Sequence, residues 1–281
     1  MRVIVAMVGL LLLLSVVACD AEQTNTKLAT STETSDLEDA GLPSNAGLPK
    51  SLIEIKKDAD LKLYEWDSNE RQRLSTYSLN LSGLMLLPVD ALSPLTIWNE
   101  SNRTHQYGQK ATIFEIRRAA YFTALMAADC SAVRAADISD SNGATPSDAA
   151  GLRHPVGAHL NGYSADLSYA CFEKSSGDYR GLAWTFYSLL ESAYVASILT
   201  AYKSEALALI TDWYNKGIVE YEAVVRFTND LWQDTTLNHD YHMHVNSTTR
   251  EGLFTDPSNS YYRCYSAQVT SVGTIWKRIS C

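Results

Sequence analysis

The chain has 281 residues, of which 46% are hydrophobic and 20% charged, and a formal net charge of −9. That length and balance suit one compact domain with a sizeable core. No basic stripe is available to neutralise phosphates, which excludes a nucleic-acid partner and disfavours a purely electrostatic grip on an anionic wall polymer.

Met1-Arg2 supplies one positive charge, and Val3 to Val17 is apolar apart from Gly9 and Ser15. Residues 1–18 read as a secretory signal, too short for a comfortable spanning helix. Val16-Val17-Ala18-Cys19 resembles a bacterial lipobox, which implies cleavage before Cys19 and lipidation of its thiol. The expected product is a periplasmic lipoprotein of a Gram-negative bacterium, held to a membrane by an N-terminal lipid anchor. Asp20 resembles an inner-membrane retention signal. Residues 19–50 are rich in Thr, Ser, Asp and Glu and bury too little to offset their ordering entropy, so they read as a flexible tether. The compact domain is expected over 51–281, and no internal repeat is visible.

Within that domain Gly83 to Val89 is a continuous apolar run, expected as a buried strand. Ile113, Ile116, Ala120 and Ala124 recur near helical spacing and predict a helix from about Ala111 to Asp129. Val133 to Ile138 is expected as a short strand, and Asp137 to Leu152 as a loop. Trp184 to Ala196 suggests a helix, Val195 to Thr200 a strand, and Glu205 to Trp213 and Tyr221 to Trp232 two more helices. Tyr241 to Val245 alternates as a half-buried strand does. On such a strand His242 and His244 share one face, while Tyr241, Met243 and Val245 take the other. Tyr163 to Tyr169 alternates in part. The class expected from these runs is α+β, a small, mainly antiparallel sheet with helices packed around it.

Four cysteines remain after Cys19, an even number in an exported chain, so disulfides are expected. Three pairings are possible. The short C-terminal loop favours Cys264 with Cys281, leaving Cys130 with Cys171. No two cysteines have the spacing of a cysteine-rich zinc site.

The chemistry lies in the histidines. Four of the six fall in two clusters, His159 with Asp166 as H-x6-D, and His239, His242 and His244 as H-x-x-H-x-H. Mixed imidazole and carboxylate donors suit one zinc, whereas calcium and magnesium prefer all-oxygen shells. A catalytic zinc takes three protein ligands and leaves a position open. Arg153 and His154, just before the first cluster, are candidate binders of a substrate carboxylate. Asp240 is a candidate partner for an imidazole N–H.

His239-Asp240-Tyr241-His242-Met243-His244-Val245 and Ala158-His159-Leu160-Asn161-Gly162-Tyr163-Ser164-Ala165-Asp166 resemble the two motifs of the LAS zinc metallopeptidases. Within that group they are most similar to the penicillin-insensitive murein endopeptidases. Weaker likeness at Gly83 to Pro88, Tyr107-Gly108, Ala136 to Ser139 and Trp184 onward extends the resemblance over roughly residues 76 to 250. It implies that His159, Asp166 and His244 hold zinc, that His239 is the general base, and that His242 assists at the transition state. It further implies that the substrate is the stem peptide of peptidoglycan. The chain departs from the family pattern at Ala158, Leu160 and Ser164, and lacks the basic residue that usually follows the second motif. The resulting expectation is a zinc peptidase cutting peptide cross-links of the wall. The alternatives are a carboxypeptidase or other peptidase of the same fold, and a zinc-bearing binding lipoprotein without turnover.

Overall fold

The computed structural model describes residues 50–98, 103–171, 177–236, 239–248, 264–270 and 273–279. The chain divides into two units, Met1–Leu48 and Pro49–Cys281. The expected signal, Cys19 and the tether up to residue 49 lie outside the described residues, as does Cys281. No described helix is long and apolar enough to cross a membrane.

Five α-helices are described: α1 (Leu52–Ser75), α2 (Lys110–Met126), α3 (Arg180–Glu191), α4 (Lys203–Asn215) and α5 (Tyr221–Asp230). Between them run β1 (Met85–Leu86), β2 (Thr96–Ile97), β3 (Tyr107–Gly108), β4 (Arg134–Ala135), β5 (Ser147–Asp148), β6 (Gly151–Leu152), β7 (Ser164–Ser168) and β8 (Val195–Thr200). After α5 come β9 (Leu231–Gln233), β10 (His242–Ser247), β11 (Cys264–Thr270) and β12 (Gly273–Ile279). The fold is thus mixed α and β, consistent with the α+β class. The main sheet has the order β2-β4-β7-β10-β8-β9, antiparallel at its three central pairings and parallel at each end. β1 pairs with β3, β5 with β6, and β11 with β12.

Helix α1 opens on a capping box, Ser51 accepting from the Glu54 N–H while Glu54 reaches back to the Ser51 N–H. Ala59, Leu63, Trp66, Glu70 and Leu74 form its buried stripe. Trp66 stacks on Tyr121 of α2, ring centroids 5.0 Å apart. Charge also ties the helices. Arg118, 1% exposed at its side chain, donates through Nε to Asp67 of α1 at 3.2 Å and through Nη1 to the Ser188 carbonyl of α3 at 2.8 Å. Its Nη2 lies 3.2 Å from Glu191. One guanidinium therefore bridges three helices.

Several expectations shift at their edges. Of Gly83–Val89 only Met85–Leu86 pairs as a strand; Pro88 has no N–H to donate, and Val89 is exposed. The loop expected over 137–152 contains the β5–β6 hairpin. Helix α3 begins at Arg180 and stops at Glu191, because Ser192 turns extended at ψ 137° and the apolar run continues as β8. Likewise Leu231 and Trp232 belong to β9 rather than to α5. Helix α1 has no counterpart among the elements expected from the sequence. Cys130 and Cys171 form a disulfide, joining the segment after α2 to the end of the β7 region.

Candidate metal centre and catalytic cleft

Strand β10 alternates as its sequence requires: Met243 and Val245 are fully buried in the core, while His242 and His244 are half-buried on the opposite face. His244 lies directly opposite Asp166 on β7. Directly paired residues project to the same face, so the carboxylate and the imidazole meet without help from a loop.

His159 arrives by a different route. Its backbone is left-handed, φ 59° and ψ 16°, and Asn161 repeats this at φ 55°. Such backbone costs about 1 kcal/mol or more for a non-glycine residue and persists only where surrounding contacts enforce it. Here they do. The Asn161 N–H donates to the Gly143 carbonyl at 2.7 Å, and Gln109 Nε2 donates to the Asn161 carbonyl at 2.9 Å. Gly162 has φ 68°, and a Cβ there would stand 2.5 Å from Gly108 Cα, so only glycine lets this loop lie against β3.

Four imidazoles surround the Asp166 carboxylate. His244 Nδ1 is 2.9 Å from Oδ1, and His159 Nε2 is 3.4 Å from the same oxygen. His154 Nε2 and His242 Nε2 lie 3.5 and 3.7 Å from Oδ2. The His154 and His159 rings are 4.2 Å apart by centroid, and those of His159 and His244 are 4.6 Å apart. One donor atom from each of His154, His159 and Asp166 falls within a 4.8 Å group that could hold a metal ion. The environment suits ligation. His159 is 1% exposed, and among the described residues neither of its ring nitrogens makes a hydrogen bond, the 3.4 Å approach to Asp166 being an ion-pair contact only. A buried polar atom in that state carries its full desolvation cost unless something else satisfies it. Burial also lowers the affinity of His159 and His242 for a proton. Neutral imidazole is the form that binds metals. Burial disfavours the Asp166 carboxylate, but the surrounding histidines prevail and hold its carboxyl far below the usual range. The residues present therefore fit a divalent cation.

His239 is held at the rim of the same cleft. Its Nδ1–H donates to Asp234 Oδ2 at 2.7 Å. Burial opposes ionisation of Asp234, yet the bonds from His239 and Thr236 keep its carboxyl well below the ordinary range. Two tyrosines fix the backbone: Tyr169 Oη donates to the His239 carbonyl at 2.7 Å, and Tyr202 Oη to the Asp240 carbonyl at 3.0 Å. Asp240 was a candidate partner for an imidazole; the carboxylate on the His239 ring is Asp234. Asn246 has no place among the sequence candidates; its Oδ1 is 3.0 Å from His244 Nε2 and accepts from Ser164 Oγ at 3.1 Å. The D-x4-H spacing of Asp234 and His239 was the only signal available for the first.

The two candidate substrate residues are both engaged. Arg153 Nε donates to Asp137 Oδ2 at 2.7 Å, and His154 Nε2 lies 2.9 Å from the same oxygen. Burial would depress the pKa of His154, but its bond to Asp137 and the nearby Asp166 charge raise it. Both residues line a cleft of about 580 Å³ together with His239, Tyr241, His242 and His244. All the histidines of the two sequence clusters, with Asp166, Arg153 and His154, thus gather at one place.

No protein-family model matches the chain, and no curated protein is significantly similar to it.

Proposed function

We propose that this protein is a zinc peptidase that cuts peptide cross-links of peptidoglycan, working from a lipid anchor in the periplasm. The reading rests above all on His159, a buried imidazole that makes no hydrogen bond among the described residues and lies 3.4 Å from Asp166, beside the cleft lined by His154, His242 and His244. The motif likeness to murein endopeptidases supplies the substrate class and the LAS-type fold.

The proposed ligands are His159, Asp166 and His244, with His154 as a rival for the third place, since it too lies against Asp166. Held by these residues, a zinc would supply a Lewis acid that lowers the pKa of water to about 7 and polarises a carbonyl. The chain's own groups do the rest. With Nδ1–H given to Asp234, the other ring nitrogen of His239, Nε2, is left to act as the base in the cleft that this residue lines. That nitrogen takes the proton from the attacking water and returns it to the leaving amine. His242, kept neutral by burial, is placed to donate a hydrogen bond as negative charge develops on the substrate oxygen. A site that only bound metal for structure would have no use for a carboxylate-oriented base beside it, which favours turnover over the binding-module reading.

Digestion of purified sacculi tests this. Release of uncross-linked peptides, identified by mass spectrometry, is the expected result. Release of only terminal amino acids would make the enzyme a carboxypeptidase, and zinc-bearing protein that binds sacculi without release would make it a binding lipoprotein.

A further inference from the structure

The cleft does not end at the histidines. A neighbouring cavity of about 430 Å³ is lined by Trp98, Asp137, His154, Asp166, Tyr241 and His242, sharing His154, Tyr241 and His242 with the first. Trp98 and Tyr241 border a third cavity of about 410 Å³, lined also by Ser131, Arg134 and Ser168. The three cavities are therefore contiguous: Tyr241 lines all of them, and Trp98 with Tyr241 forms an aromatic ridge shared by the second and third. Trp98 and Tyr241 are 49% and 62% exposed and meet edge to face at 6.2 Å. The ridge is built into the sheet: the Trp98 N–H donates to the Ala135 carbonyl at 2.9 Å, and Tyr241 directly precedes β10.

Arg134 stands beyond the ridge, its side chain exposed on β4. Its backbone N–H donates to Ser168 Oγ at 2.9 Å. Among the described residues its guanidinium has no carboxylate partner. Arg153, at the other end, already serves Asp137 and lies 3.7 Å from Asp148. Asp240 also lines the Arg134 cavity and is itself engaged. In a chain of net charge −9, an exposed arginine left unpaired inside a cleft is complementary to an anion on what enters.

We propose that the substrate peptide lies across the Trp98–Tyr241 ridge and sets a carboxylate on Arg134, so that Arg134, rather than Arg153, reads the substrate's charge. This rests on the peptidase reading and adds to it a second subsite for a carboxylate-bearing peptide segment. Aromatic faces pack peptide and aliphatic groups at low entropic cost, and the guanidinium fork takes a carboxylate with two parallel bonds.

The test uses cross-linked muropeptide dimers and the same dimers with their carboxylates converted to methylamides. Their dissociation constants and KM values are compared for wild type, Arg134→Gln, Arg134→Lys and Trp98→Ala. Loss of a charge-assisted hydrogen bond predicts that Arg134→Gln weakens binding of the free acids by about tenfold or more and leaves the methylamides unaffected. Arg134→Lys should recover part of the loss, because it keeps the charge without the fork. Trp98→Ala should weaken both forms alike. Unchanged binding of the free acids by Arg134→Gln overturns the proposal, as does failure of wild type to bind either form. Dimers cut at an Arg134-independent KM would sink the subsite and leave the peptidase reading standing. Dimers bound through Arg134 but never cut would do the reverse.

Discussion

Replacing His239 with alanine is expected to lower kcat on cross-linked wall peptides by about 10²–10⁴-fold, the usual contribution of a positioned general base. Metal content should stay as in wild type, because His239 is bonded to Asp234 and is not one of the groups around Asp166. Asp234→Asn should give a milder loss, about 10–100-fold, typical of removing the partner that fixes an imidazole's tautomer and orientation. In that variant the asparagine can present its own N–H to Nδ1, so the proton moves to Nε2 and the lone pair is lost from the cleft. A His239→Ala enzyme that cuts wall peptides at the wild-type rate would refute the mechanism.

Arg118→Leu is expected to destabilise the fold by about 3–5 kcal/mol, the cost of removing one partner from a buried ionic cluster. The substitution leaves Asp67 and Glu191 facing a gap between α1 and α3 without their shared cation. Burial already pushes the Asp67 carboxyl up against the pull of Arg118, and without the arginine it should rise further. The folded variant would then bind more protons than its unfolded chain. Its stability should fall as pH rises through the carboxylate range, and its deficit should shrink toward acid pH. Urea unfolding midpoints measured at two pH values check both parts. A loss below about 1 kcal/mol, or a deficit that grows on acidification, would contradict this account of how α1 is held.

That helix also shows where sequence reading runs out. Its buried stripe includes Lys56, Asp67 and Glu70, so hydropathy gives little periodic signal, although the capping box at Ser51 and Glu54 was there to be read. The charges became interpretable only once their partners on α2 and α3 were in place. By contrast, β10 was legible because one period-two pattern separated core residues from chemistry: Met243 and Val245 inward, His242 and His244 outward. The meeting of His159 with Asp166 was legible from H-x6-D, but the left-handed turn that makes it, and the need for Gly162, were not. Asn246 sits two residues beyond His244 on β10 and Asp234 five residues before His239, local spacings that carry no motif of their own, whereas Tyr169 reaches the His239 carbonyl from another part of the chain and leaves no fixed spacing in a sequence. The α3–β8 boundary was blurred for a simpler reason. An apolar run that passes from a buried helix into a buried strand carries no break in hydropathy.

A zinc anchored by His159 and Asp166 should be carried through purification without added metal, and elemental analysis of such protein measures it. Wild type is expected to carry about one zinc per chain, and His159→Ala almost none, with circular dichroism showing that the variant is folded. His244→Ala should lose the metal as well, while His154→Ala keeps it. The reverse pattern for that last pair would move the third ligand to His154 without disturbing the claim. Wild type that binds no zinc when supplied with it, or a folded His159→Ala protein with undiminished zinc, would contradict the account.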